Sequence, residues 1–151
     1  MSYKEWGNTT WFLFHGLAHK LKPEYDSFSK DLMTCFYNIC CNLPCEYCST
    51  HAMTIMKGCN IVNINTKEKL KDFLWQLHNI VNKRLKKNIF TKEERDNLYC
   101  NININNIIYN FKVVMNKNHR IEKAMMGSFK RQQYLKYFNN FIKENRDKFD
   151  N

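Results

Sequence analysis

Residues 66–88, Thr66-Lys67-Glu68-Lys69-Leu70-Lys71-Asp72-Phe73-Leu74-Trp75-Gln76-Leu77-His78-Asn79-Ile80-Val81-Asn82-Lys83-Arg84-Leu85-Lys86-Lys87-Asn88, carry the reading of the fold. Leu70, Phe73, Leu74, Leu77, Val81 and Leu85 recur at the helical period, so they share one face of a long helix that starts at Thr66. Towards the N-terminus the same period places Trp6, Leu13, Leu17 and Leu21 on a helix over 5–21, ended by Pro23. Asp26 or Ser27 caps a second helix over 27–42, with Leu32, Phe36, Ile39 and Leu43 as its buried stripe. Pro44 stops it and opens a third, over 45–57, which begins with Cys45 and ends near Gly58. Four antiparallel helices with short connections make a bundle. Beyond them, Thr91 and Glu94 form a capping box for a short helix over 91–99.

From Cys100 onward the composition changes. Residues 100–110 alternate Asn with Ile and read as a loop or a short strand. Residues 117–149 read as a basic amphipathic helix carrying Ile121, Met125, Phe129, Tyr134, Phe138, Phe141 and Ile142. The expected organisation is therefore all-α, with one domain over 1–99 and a basic helical extension over 100–151.

Composition agrees with this. A chain of 151 residues is about one domain, and 44% hydrophobic with 15% aromatic residues suffices for a core. Only 4 Gly and 2 Pro argue against a many-turned β-sandwich or barrel. The net charge of +10 divides as +4 over 1–99 and +6 over 100–151. A nucleic-acid role is the contrasting non-enzyme reading of that charge, but no recognition motif accompanies it. The first residues, MSYKEWGNTTW, put charge and tryptophan where a signal peptide needs an apolar run, and no stretch is long and apolar enough to span a membrane. A cytoplasmic protein is expected, so the seven cysteines, at 35, 40, 41, 45, 48, 59 and 100, point away from a structural disulfide framework.

Leu43-Pro44-Cys45-Glu46-Tyr47-Cys48 is a CxxC at an expected helix start. Helix N–H groups and the dipole there favour thiolate, and the spacing lets the two sulfurs form an easily reduced disulfide suited to exchange. Zinc is the rival: Cys45, Cys48 and His51 offer three ligands, and Cys40 or Cys41 a fourth. No second ligand knuckle accompanies them, and no metal is expected. A thioredoxin-like reading fails on context, because that CxxC lies in a βαβ unit. A second constellation decides the matter. Trp6-Gly7, Trp11 and His15 on the first helix, with His78, Asn79, Asn82 and the basic run 83–87 on the fourth, supply a flat aromatic, two imidazoles, amides and cations. A flavin dinucleotide needs that set for its rings, ribose and pyrophosphate.

The sequence resembles the Erv/ALR FAD-linked sulfhydryl oxidases, above all the short forms encoded by large cytoplasmic DNA viruses. The shared signatures are W-G-x-x-x-W-x-x-x-H (Trp6 to His15), L-P-C-x-x-C-x-x-H (Leu43 to His51) and L-H-N-x-V-N-x-x-L-x-K (Leu77 to Lys87), in that order. Tyr99 falls where the family places a further aromatic, and the resemblance covers about residues 3–99.

The resemblance implies a four-helix bundle plus a short fifth helix, usually homodimeric, holding FAD. It implies Cys48 as the flavin-proximal sulfur and Cys45 as the outer, substrate-facing one. Cofactor contacts carry over to Gly7, Trp11, His15, His51, His78, Asn79, Val81, Asn82, Leu85, Lys87 and Tyr99. Trp11 is expected near the adenine, His15 by the flavin–ribityl region, and His78, Asn79 and Asn82 on the adenosine side. Lys87 is expected near the phosphates; the role of His51 is open. The implied reaction takes two thiols of a small dithiol or thioredoxin-like partner and molecular oxygen to a disulfide and hydrogen peroxide, in the host cytoplasm or virion.

This chain departs from cellular members in lacking a further shuttle CxxC. Cys59 aligns with half of a structural disulfide whose other position is Trp75 here, so that bridge is expected to be absent. Cys100 pairs with Cys59, pairs across a dimer, or stays free; the sequence does not choose. Cys40 and Cys41 read as buried small hydrophobes rather than as a relay.

Overall fold

The computed structural model describes the backbone of residues 2–117 and 125–151, and their side chains except 125–128 and 131. Among these residues the chain forms seven α-helices: α1 Tyr3–Lys20, α2 Ser29–Cys40, α3 Glu46–Gly58, α4 Lys67–Arg84, α5 Lys92–Tyr99, α6 Ile104–Asn116 and α7 Met125–Asn145.

The apolar faces of the helices converge in one core, which takes in the stripes read from the sequence and, beyond them, Phe14 and the α6 residues. Phe14 of α1, Phe36 of α2, Phe111 of α6 and Phe138 of α7 are all fully buried, paired at 4.6 Å (Phe14–Phe36) and 5.2 Å (Phe111–Phe138) between ring centroids. Leu32 and Ile39 of α2, Leu70, Leu74 and Leu77 of α4, and Leu13 and Leu17 of α1 join the same core. Such buried rings exclude more water than the same number of aliphatic side chains, because each buries a large apolar area.

Helix ends follow capping chemistry. Cys45, expected as the first residue of α3, is instead its N-cap, with extended backbone and with Sγ accepting from the Cys48 N–H at 3.1 Å. Thr91 and Glu94 make the expected capping box at the start of α5. The second helix begins later than expected, because Pro23–Phe28 forms a 3-10 turn first. Asp26 does not cap it: its Oδ1 accepts from the Lys67 N–H at 2.7 Å and so caps α4 across the fold. The long helix stops at Arg84 rather than at Asn88. Lys86 takes a left-handed conformation (φ 58°), Lys87 N–H donates to Asn82 C=O at 2.8 Å and Lys86 N–H to Lys83 C=O at 3.2 Å. That bond pair is the Schellman ending of a helix.

The largest correction lies in the extension. Residues 104–110, expected as loop or strand, belong to α6. Its N-cap Asn103 accepts from the Asn106 N–H, and Ile104, Ile107, Ile108, Phe111 and Met115 are buried at helical spacing. The Asn/Ile alternation over 101–104 imitates a strand for a few residues, and the helical period governs from Ile104 on. Helix α6 lies along α1 as the most extensive helix–helix contact of the fold. Gly16 permits it, since a Cβ there collides with Ile102 and Ile107. In α7 the buried residues are Tyr134, Leu135, Phe138 and Ile142, whereas Phe129 is exposed. Ile121 and the Met125 side chain lie outside the described residues. The chain then returns to α1: Phe149 pairs with Leu21, Lys22 N–H donates to Lys148 C=O at 2.9 Å, and Asp150 N–H donates to Lys20 C=O at 2.7 Å. No described helix is long and apolar enough to cross a membrane.

Candidate active site

Cys45 and Cys48 are joined as a disulfide at the start of α3. The turn is held in place by Ser49, whose Oγ accepts from the Leu43 N–H at 3.1 Å while its own N–H donates to Cys45 C=O at 3.0 Å. Cys48, not Cys45, lines an apolar cleft with Tyr3, Trp6, Gly7, Thr10 and Trp11 of α1, Leu77, Val81 and Arg84 of α4, and Cys40 of α2. Tyr3, Gly7 and Trp11 are four residues apart and form one ladder on α1. Trp11 Nε1 donates to the Tyr3 hydroxyl at 2.8 Å, and a Cβ on Gly7 would come within 2.7 Å of the Tyr3 ring. A glycine is needed there so that the ring can lie flat against the helix.

Behind the cleft four of the five rings expected for the cofactor are brought together, while His51 lies apart on α3. Trp11 stacks on His78 with centroids 4.0 Å apart and planes within 5°, and His15 stacks on Tyr99 at 4.4 Å. His15 Nε2 and His78 Nδ1 are hydrogen-bonded at 2.9 Å, one ring donating and the other accepting. Burial and the neighbouring His78 hold His15 well below the usual imidazole value; burial and Lys87 hold His78 down at about 4. Both rings are therefore neutral at physiological pH. His15 is fully buried, and its Nδ1 finds no hydrogen-bond partner among the described residues. Such an atom costs roughly 1–3 kcal/mol unless something satisfies it.

The other expected residues occupy supporting places. Asn79 exchanges two hydrogen bonds with the Phe90 backbone, at 3.0 and 3.1 Å, which fixes the segment after α4 against the His15 and His78 rings. Asn82 donates to Asn88 C=O at 3.3 Å, Val81 lines the cleft, and Leu85 packs against the core. Lys87 is exposed, with its ammonium 5.0 Å from the Tyr3 ring. His51 faces Arg84 and not a metal ligand, and no group of three or more metal-ligating side chains gathers among the described residues.

Beneath the stack, Arg95 is buried and donates to Asp72 and Asp96 at 3.0 and 2.9 Å, while His19 bridges Asp96 to the His15 carbonyl. Burial raises the Asp96 carboxyl, but the hydrogen bonds from Arg95 and His19 outweigh it and hold the group at about 2. This network bolts α5, which carries Tyr99, to α1 and α4.

Of the remaining cysteines, Cys59 and Cys100 are exposed and free, and Trp75, at the position opposite Cys59 in the family pattern, donates to Phe90 C=O at 2.8 Å. Cys35 and Cys40 are buried, and burial pushes the Cys35 thiol up to about 12. Cys41 is half-buried.

The sequence pattern does not single out Tyr3 or Phe90, and it offers Arg84 only as one cation of the basic run 83–87. Tyr3 had a signal, since it continues the Gly7–Trp11 spacing by one turn. So had Arg84, three residues beyond Val81 on the face that looks towards α3. Phe90 had none, because a loop residue held through its backbone leaves no pattern.

The Erv1 / Alr family pattern matches residues 8–100. The chain belongs to the Erv1 / Alr family. Its Erv1 / Alr segment is 30% identical over 100 residues to the FAD-linked sulfhydryl oxidase of African swine fever virus (isolate Pig/Kenya/KEN-50/1950), covering 62% of this chain and 79% of that protein. It is 29% identical over 79 residues to the probable FAD-linked sulfhydryl oxidase of fowlpox virus (strain NVSL), covering 52% of this chain and 80% of that one. With the putative FAD-linked sulfhydryl oxidase of frog virus 3 (isolate Goorha) it shares 28% over 92 residues, 54% of this chain, and spans 57% of that protein's length. No solved structure matches. Residues beyond 100 lie outside the family match.

Proposed function

We propose that the protein is an FAD-dependent thiol oxidase that forms disulfides in a small dithiol protein and passes the electrons to molecular oxygen. The observation that carries this reading is a helix-start disulfide whose inner sulfur, Cys48, lines an apolar cleft next to Trp11. The residues fit a flavin dinucleotide. Trp11, His78, His15 and Tyr99 offer flat faces, and the orphaned Nδ1 of His15 awaits a polar partner. Gly7 and Val81 line the approach, and Asn79, Asn82 and Leu85 hold the frame. Lys87 provides positive charge for a pyrophosphate at the rim, and His51 acts from α3.

An incoming substrate thiolate bonds to Cys45 Sγ. The Cys45–Cys48 bond breaks and its electron pair leaves on Cys48 Sγ. A second substrate thiolate then attacks the mixed disulfide, releasing the oxidised substrate and leaving Cys45 and Cys48 reduced. A flavin held by Trp11, His15, His78 and Tyr99 would supply two-electron acceptor chemistry with oxygen as the final oxidant, so that Cys45 and Cys48 return to the disulfide and hydrogen peroxide is formed. The pairing of partner and oxidase in one cytoplasmic compartment, and a homodimeric assembly, belong to the same proposal.

Visible absorption with oxygen uptake tests it. The purified chain should be yellow and consume oxygen with dithiothreitol, and Cys45→Ser and Cys48→Ser should each abolish turnover while the colour stays. A colourless, zinc-loaded protein without oxygen uptake overturns the reading.

A further inference from the structure

The sequence offers the basic run 83–87 as cations at a helix end, yet the Arg84 side chain is turned back onto α3. Its Nη1 lies 2.8 Å from Nδ1 of His51 and its Nη2 lies 4.0 Å from Sγ of Cys48. The guanidinium carbon sits 5.0 Å from the centre of the Tyr47 ring. Tyr47 and His51 are one turn apart on α3, with parallel rings. Arginine has donors only, so Nδ1 of His51 must accept, which leaves the imidazole neutral with its proton on Nε2. Burial and the adjacent guanidinium both hold His51 below the usual imidazole value. One aromatic face and one ring nitrogen thus aim the cation, and a remaining donor points at the sulfur.

No carboxylate pairs with Arg84 among the described residues. The other titratable groups lining the cleft beside Cys48 are neutral at physiological pH. Cys40 of α2 is a thiol that burial pushes up, and Tyr3 of α1 is a phenol raised by burial despite its bond from Trp11. Glu46, on the first turn of α3, is exposed to solvent. Of the side chains lining the cleft, Arg84 alone is charged.

We propose that Arg84 stabilises the Cys48 thiolate and so directs incoming thiols to Cys45, and that His51 is the positioning residue that aims Arg84. The inference rests on the thiol-oxidase reading for its use, not for its chemistry. When a thiolate bonds to Cys45 and the Cys45–Cys48 bond breaks, the negative charge develops on the sulfur beside the guanidinium. A sulfur whose thiolate is stabilised is the better leaving group, so attack at Cys45 is faster than attack at Cys48. The family motif leaves the Arg84 position unspecified, so the assignment comes from the geometry of this chain.

The test uses the reduced full chain carrying Cys45→Ser, with iodoacetamide alkylation of Cys48 followed by peptide mass spectrometry across pH. This separates Cys48 from the other free cysteines. Adding Arg84→Gln should raise the midpoint of the Cys48 profile by about one pH unit, which is about a tenfold loss of thiolate at neutral pH. Arg84→Lys should restore most of the shift, and His51→Ala should give a smaller rise, because it removes the acceptor and keeps the charge. A Cys48 midpoint unmoved in Arg84→Gln overturns the proposal. Should that variant lose its helical circular dichroism, His51→Ala decides, and an unmoved midpoint there overturns the positioning role. Alkylation needs no flavin turnover, so the two readings fail differently. A colourless chain with a shifted midpoint defeats only the oxidase, and a yellow, oxygen-consuming chain with an unmoved midpoint defeats only the Arg84 assignment.

Discussion

The two halves of the site are built on opposite plans. Around Cys48 the wall carries one guanidinium without a carboxylate, whereas around His15 the wall is sealed and aromatic, its imidazoles neutral and its nearest guanidinium, Arg95, paired with carboxylates. A sulfur that must hold negative charge for part of a cycle needs a fixed cation nearby, and water on one side for its substrate. A ring pocket needs flat faces held apart at a set spacing, and charged imidazoles would repel one another there. Each half is kept as it is by different neighbours: α3 and Arg84 for the first, α5 and the α1–α6 layer for the second.

That division can be broken selectively. Phe111→Ala removes a fully buried ring from the α6 layer and should cost about 3–5 kcal/mol, seen as a large drop in melting temperature. At temperatures where the variant is folded, Cys45–Cys48 should be reduced by dithiothreitol at the parental rate. A slower or faster reduction would mean that the halves are coupled. Acid should separate them next. His15 and His78 have folded values below their unfolded value near 6.5, with His78 at about 4. The unfolded chain therefore binds more protons below pH 6.5, and the stability present above that pH is lost as pH falls towards 4. Each histidine contributes a slope of about 1.4 kcal/mol per pH unit, readable as a denaturation midpoint that declines between pH 6.5 and 4. A flat midpoint over that range would remove the neutral-pocket description. The smallest effect lies at the joint between the halves. Lys86 is the left-handed residue after α4, and Lys86→Gly should stabilise by about 0.5–1 kcal/mol, because glycine adopts that conformation freely. A loss of stability would place the Lys86 side chain in the energetics of the turn.

Legibility in the sequence tracked how local each determinant is. The stripes of α1, α2 and α4 were readable because burial repeats at the helical period within one segment. The Thr91–Glu94 box was readable because both partners lie within four residues. Asp26 was misread as a cap for α2, since its partner Lys67 is remote in sequence and only the folded chain brings them together. Helix α6 was hidden by the four-residue Asn/Ile alternation over 101–104 that imitates a strand. In the site, Cys45, Cys48, Trp11 and His15 announced themselves by spacing. Arg84 shares a face with Val81 by spacing, but a lysine–arginine run at a helix end is ordinarily solvated, and what turns this side chain inwards is the His51 nitrogen on another helix.

The embrace of α1 by α6 has a consequence for how the chain is made. Helix α1 leaves the ribosome before its principal partner, residues 104–116, which emerges only after α2 to α5 have been synthesised. Until then the Gly16 side of α1 is bare apolar surface, and the contact that finally covers it joins segments far apart in sequence, which slows folding. The nascent protein thus passes through a stage at which three signature motifs are already present while one flank of the bundle is uncovered. That stage is when self-association and chaperone capture compete most strongly with completion of the fold.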